Sequence, residues 1–140
     1  TGVHASTSKQ VAKVASLLEK QPERHVEIEA IGSIARRGIE ALRAGDMESV
    51  GKAMTENHIV LRSLGVSSPE LEKLIKAAAP SSLGVKLTGS GGGGCMIALT
   101  KNPEQTVGAI EMEGGRAFIS PFNSPGVRIE TLSSQDSGPQ

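Results

Sequence analysis

The sequence predicts an α+β domain: a split β-α-β-β-α-β sandwich with an extended helical N-terminal half and its first strand missing. Three observations carry this. Apolar residues recur at helical spacing, between recognisable caps, through residue 79. From Gly84 the period shortens to two. The order is then strand, glycine-rich loop, strand, helix, strand, which fits a ferredoxin-like sandwich once a strand preceding the helices is supplied. That strand would end where this chain begins, and it is usually central. Its loss should leave both neighbours with unpaired backbone groups unless residues 126–130 take its place.

Ser6 and Thr7 can open a helix running to about Lys20, with Thr7 and Gln10 at the spacing of a capping box and Val11, Val14, Ala15 and Leu18 on one face. Pro22 suits the first turn of a second helix, whose stripe is Ile31, Ile34, Ala35 and Leu42 and whose end is Gly45. Asp46 can cap a third, carrying Val50, Met54 and Leu61 to the stop at Gly65. Ser68, Pro69 and Glu70 signal a fourth, with Leu71, Leu74, Ile75 and Ala78 facing inward before Pro80. Strands follow at Gly84–Thr88 and Cys95–Leu99, the latter an apolar run suited to burial. Pro103 opens a helix to Glu113, and Arg116–Ser120 and Gly126–Glu130 read as further strands. The domain spans 1–131, in a helical half (6–79) and a strand and glycine-loop half (84–131). Residues 132–140 carry almost no apolar side chains and read as a disordered tail.

Composition narrows the function. One domain is expected of 140 residues. Fifteen basic and fifteen acidic residues cancel, so no global field draws nucleic acid or an anionic bilayer. No Trp, no Tyr and two Phe leave no platform for stacking bases. One Cys and three scattered His form neither a disulfide nor a zinc framework, which suits a reducing, cytoplasmic setting. No membrane span or signal peptide is legible. The first residue is not Met, so the chain is expected to be processed, trimmed or part of something longer.

Five of the six residues Gly89-Ser90-Gly91-Gly92-Gly93-Gly94 are glycine. Interior glycine costs about 0.5–1 kcal/mol relative to alanine, so such a run suggests a conformation or a close approach that a Cβ forbids. Successive amides in a loop of this kind can converge on an anion. A flexible linker is the plainer reading, but the loop joins two short strands of one sheet. It is not a Walker loop: Cys95 and Met96 stand where Lys and Ser or Thr belong. It also enters a strand, so it has no cation and no helix dipole of its own. Something outside the loop must supply them.

Lys86-Leu87-Thr88-Gly89-Ser90-Gly91-Gly92-Gly93-Gly94-Cys95 resembles the third signature motif of the GHMP kinases, the family of galactokinase, homoserine kinase, mevalonate kinase and phosphomevalonate kinase. Within it the likeness is nearest to the archaeal and bacterial mevalonate kinases. Thr1-Gly2-Val3 with Ser6-Thr7, Asn57-His58 ahead of Leu61 and Leu64-Gly65-Val66-Ser67, and Gly114-Gly115-Arg116-Ala117-Phe118 resemble further stretches of their C-terminal half. The resemblance implies a two-domain enzyme with its site between the domains. It places Thr88, Gly89, Ser90, Gly91, Gly92, Gly93 and Gly94 near the phosphates of ATP, and Ser6, Thr7, Ser90 and Gly91 near the acceptor. It implies ATP and Mg²⁺ as cofactors, mevalonate as acceptor, and a partner N-terminal kinase domain bearing the main nucleotide loop, the catalytic carboxylate, the catalytic Lys and the Mg²⁺ ligands. A homodimer of the full enzyme is a further implied partner. No P-x-x-x-G-L-G-S-S-A stretch is present, so no catalytic or metal residue is assigned here, and the chain alone is expected to be inactive. Alternatives are another acceptor (phosphomevalonate, homoserine or a sugar) and a non-catalytic ligand-binding or dimerisation module. Alanine at Gly91 and Gly92 is expected to separate these, abolishing catalysis with folding intact.

Other residues have plain structural readings. Lys86 should lie on the strand face opposite Val85 and Leu87, as a solvated lysine or as a catalytic cation. His58 reads as a packing or surface residue of a helix, Cys95 as an inert buried hydrophobe, and Met47, Met54, Met96 and Met112 as core or cover.

Overall fold

A computed structural model describes residues 1–121. Five helices and two strands follow in the order α1 (Thr7–Lys20), α2 (His25–Arg43), α3 (Met47–Ser63), α4 (Pro69–Ala78), β1 (Ser82–Leu87), β2 (Met96–Thr100) and α5 (Pro103–Met112). Helix ends follow local chemistry. The Asp46 carboxylate accepts from the Ser49 amide at 3.0 Å, and Ser68 Oγ accepts from the Leu71 amide at 3.3 Å. Gly45 and Gly65 close α2 and α3 with φ of 73° and 76°. Pro22 opens a short 3₁₀ turn, Pro22–Arg24, rather than the α-helix itself.

The first capping expectation fails. Ser6 makes no side-chain cap bond. Its hydroxyl pairs with that of Ser8, and Thr7 and Gln10 turn away from the helix end toward the glycine loop. Tertiary contact has outcompeted the local box.

The core gathers around α4. Leu71, Leu74, Ile75 and Ala78 pack with Val66, Val85, Leu87 and Ile110. Leu71 and Leu87 are essentially removed from water, each worth about 1.5–3 kcal/mol of hydrophobic transfer. Val85 and Leu87 face inward as the alternation predicts. Ala35 and Leu42 of the expected α2 stripe are exposed, and so is Met112. α2 meets α3 along one edge of that stripe, where Ile34 is buried and Gly38 lies against Ala53.

β1 and β2 pair antiparallel, with Lys86 opposite Ile97 and Leu87 opposite Met96. The other edge of β1 is covered by a helix. Thr55 Oγ1 and His58 Nδ1 of α3 each lie 3.4 Å from outward amides, those of Val85 and Leu87, and accept from them. With Gly51, these residues form one stripe along α3.

Among the described residues β2 has no helix covering its free edge in this way. Contrary to expectation it is only half-buried, Ile97 is 46% exposed, and Cys95 is exposed just ahead of it. Residues 116–120 form no strand. The reason is shared: among the described residues the sheet has two strands, and a strand needs a partner for its amides. Between β2 and residues 116–120 lies a largely apolar cleft of about 570 Å³, with Thr1 at its rim and Leu74, Val107 and Ile110 on its wall. This is where the sandwich topology predicts its first strand. The expected strand at 126–130 and the expected tail at 132–140 lie outside the described residues.

Candidate functional site

The loop between β1 and β2 is a fixed turn held from three sides. At its base the Thr88 amide donates to the Cys95 carbonyl at 3.0 Å. Gly89, Gly91, Gly92, Gly93 and Gly94 all have positive φ, from 72° to 149°, a region that costs other residues about 1–2 kcal/mol each. Two are required a second time by backbone: a Cβ would meet the Val66 carbonyl oxygen at 1.9 Å on Gly91 and the Val3 carbonyl oxygen at 2.6 Å on Gly93, while on Gly92 it would meet the end of the Gln10 side chain at 2.3 Å. A Cβ on Gly89 or Gly94 would meet nothing within 4 Å. Alanine at Gly91 would therefore press on the Val66 backbone, a strain the expectation of intact folding did not include, whereas at Gly92 the Gln10 side chain can move aside and the positive φ is what remains.

Two loop amides are used within the protein. Gly92 donates to the Val66 carbonyl at 2.7 Å and Gly94 to the Val3 carbonyl at 2.8 Å. The Thr1 amine and hydroxyl both donate to the Gly94 carbonyl, at 3.0 and 2.9 Å. The amides of Gly89, Ser90, Gly91 and Gly93 have no backbone acceptor among the described residues.

The helix end that the loop lacks in sequence is delivered in space. Thr7 Oγ1 lies 3.3 Å from Ser90 Oγ, setting the first turn of α1 against the middle of the loop. Ser6 makes no side-chain cap bond, and the opening amides of α1 have no acceptor among the described residues; a helix N-terminus carries roughly half a positive charge. The structure thus joins Thr7 to the Thr88–Gly94 loop. The hydroxyl of Ser6, the other acceptor-side candidate, points to Ser8. The sequence signal for the Thr7–Ser90 contact was two hydroxyl residues on either side of a gap of 83 positions, which no local pattern reports.

Lys86 is turned along its own strand. It is half-buried, desolvation lowers its pKa, and its Nζ donates to the carbonyl of Leu87 at 2.8 Å. His58, read from sequence as packing or surface, is buried and bonded on both ring nitrogens. Its Nε2 lies 2.9 Å from Glu72 Oε1. Burial acts to raise the pKa of Glu72, but the Ser67 hydrogen bond, His58 and Arg62 together outweigh it and hold the carboxyl below its ordinary value. Among the described residues no three His, Cys, Asp or Glu side chains converge as a metal site. No helix among them is long and apolar enough to cross a membrane.

Residues 39–111 match the family described as GHMP kinases C terminal. The chain belongs to the GHMP kinase family. This GHMP kinase chain is 37% identical to the mevalonate kinase of Pyrococcus furiosus over 140 residues, covering 94% of the chain and 42% of that protein. It is likewise 37% identical to the mevalonate kinase of Archaeoglobus fulgidus over 126 residues, covering 89% of the chain and 40% of that protein. The chain therefore spans less than half the length of these curated relatives. Among solved structures it resembles L. major mevalonate kinase in complex with R-mevalonate, with a TM-score of 0.68 and 33% identity over 80% of this chain and 35% of that one. It also resembles the Methanococcus jannaschii mevalonate kinase, with a TM-score of 0.58 and 33% identity over 79% and 32%. The GHMP C-terminal fold and its α+β class agree with the sequence reading.

Proposed function

We propose that this chain forms the C-terminal part of a mevalonate kinase, which transfers the γ-phosphoryl group of ATP to the primary hydroxyl of mevalonate. The observation that carries this is the docking of the α1 N-terminus on the glycine loop through Thr7 and Ser90. Phosphoryl transfer is chiefly positioning and charge stabilisation, and the loop is built for the second task. The amides of Gly89, Ser90 and Gly91, the Ser90 hydroxyl and the first turn of α1 give a fixed set of donors with no carboxylate among them. The glycines fit a phosphate because side chains are absent from the loop surface at Gly89 and Gly94. ATP, when bound, supplies the phosphoryl group. This chain's part is to hold its oxygens, with Thr7 and Ser90 on the acceptor side. A base, the Mg²⁺ ligands and the nucleotide loop are expected from an N-terminal kinase domain seated against this one. The mevalonate kinase names of the relatives support the acceptor.

The test is a coupled assay with ATP and mevalonate, repeated with phosphomevalonate, homoserine and galactose. The chain alone should show no turnover. Combined with the N-terminal domain of a related kinase it should phosphorylate mevalonate preferentially, and Ser90→Ala should lower kcat by about tenfold or more, the scale of losing one oriented donor. Turnover by the isolated chain, or preference for another acceptor in the combination, would overturn the proposal.

A further inference from the structure

A closed circuit of hydrogen bonds runs beneath the glycine loop. It starts at β1, where the outward Leu87 amide donates to His58 Nδ1 at 3.4 Å. A nitrogen that accepts carries no proton, so the imidazole holds its proton on Nε2 and donates it to Glu72 Oε1 at 2.9 Å. The same carboxylate oxygen accepts from Ser67 Oγ at 2.6 Å, and Arg62 Nη1 stands 3.5 Å from Oε2. Ser67 follows Val66, whose carbonyl accepts from the Gly92 amide at 2.7 Å and sits where a Cβ of Gly91 would be. Leu87 precedes the loop by one residue and Gly92 is near its middle. The circuit therefore fixes the loop's entry relative to its crest.

We infer that His58 and Glu72 are positioning residues for the glycine loop, holding the α3–α4 turn at the height that aims the loop's remaining amides outward. Neither touches the loop; both act through Leu87 and Val66. Simple packing does not account for the pair. An apolar side chain would fill the place of His58, which is only 4% exposed, yet it would leave the Leu87 amide without an acceptor. Nor is Glu72 a surface decoration: its carboxylate is the point where α3, α4 and the intervening turn are tied together. The functional weight of this brace rests on the phosphate-facing reading of the loop, so the test separates the two.

The first readout is amide hydrogen exchange in the 140-residue chain, comparing Gly92 with Gly94, whose bond to Val3 lies outside the circuit. Glu72→Ala and Ser67→Ala should speed exchange at Gly92 by about tenfold or more relative to Gly94. Glu72→Gln retains an acceptor for both Ser67 and His58 and should keep the wild-type ratio. His58→Phe should behave like Glu72→Ala; if it does not fold, the Glu72 and Ser67 variants decide alone. An unchanged ratio in Glu72→Ala, or equal acceleration at both glycines, overturns the inference. The second readout is the chain combined with an N-terminal kinase domain. Glu72→Ala should lower kcat while leaving the KM for the acceptor within about twofold, with recovery in Glu72→Gln. Altered exchange with unaltered kcat would keep the brace and overturn the phosphate-facing reading instead.

Discussion

Gly51 of α3 and Gly84 of β1 meet backbone to backbone: a Cβ on Gly84 would lie 2.0 Å from the Gly51 carbonyl oxygen, and one on Gly51 would lie 2.3 Å from the Leu83 carbonyl oxygen. This contact lets a helix take the place of a neighbouring strand. Only at such close range do Thr55 and His58 reach the outward amides of β1.

Gly84→Ala and Gly51→Ala should therefore each destabilise the chain by about 3 kcal/mol or more, since neither backbone can yield without breaking the α3–β1 seam. Gly108→Ala is the contrast. Gly108 is helical and a Cβ there meets nothing within 4 Å, so this change should stabilise by about 0.5–1 kcal/mol. Urea melts of the three variants check both signs.

Within the loop, stability should depend on position. Gly89→Ala meets open space but keeps a φ of 77°, and should cost about 1–2 kcal/mol from backbone strain alone. Gly91→Ala adds a collision with the Val66 carbonyl and should cost clearly more. Equal losses in thermal melts would show that the loop relaxes away from Val66.

Acid should weaken the fold through Glu72. Its folded pKa lies below the ordinary value of 4.5, so in the window just under that value the unfolded chain binds more protons than the folded one. Stability then falls as pH drops through the window. Glu27 and Asp46 are lowered too, by Arg24 and Ser49 first among their partners, and add the same sign. Glu72→Gln should flatten, without abolishing, the acid limb of a stability-against-pH curve. A steeper limb would contradict the assigned direction.

The cleft beside β2 predicts where a partner strand sits. Amides of β2 that do not pair with β1 should exchange freely in the isolated chain, and slow by about tenfold or more when an N-terminal kinase domain is bound. Protection confined to β1 would place the partner elsewhere.

Much of the helical half was legible because its signals are local. Asp46, Ser68, Gly45 and Gly65 act on their own turns, and the structure uses each as a cap or stop. The need for glycine in the loop was legible as well. Residues 116–120 were read as a strand from composition, but pairing is not a local property, and no strand lies beside them among the described residues. Thr7 and Gln10 looked like a capping box and instead serve a loop more than 80 residues away. His58 stood within a stretch that resembles the family, but nothing local named its partners; they come from β1 and α4, which only the packed chain brings to it.

α1 contributes no fully buried residue to the interior, yet it carries the electropositive end set against Ser90. The proposed role of the loop thus leans on a helix that, among the described residues, has no fully buried side chain to anchor it. Gentle denaturant should detach that helix first, disarming the chain while Leu71 and Leu87 are still dry.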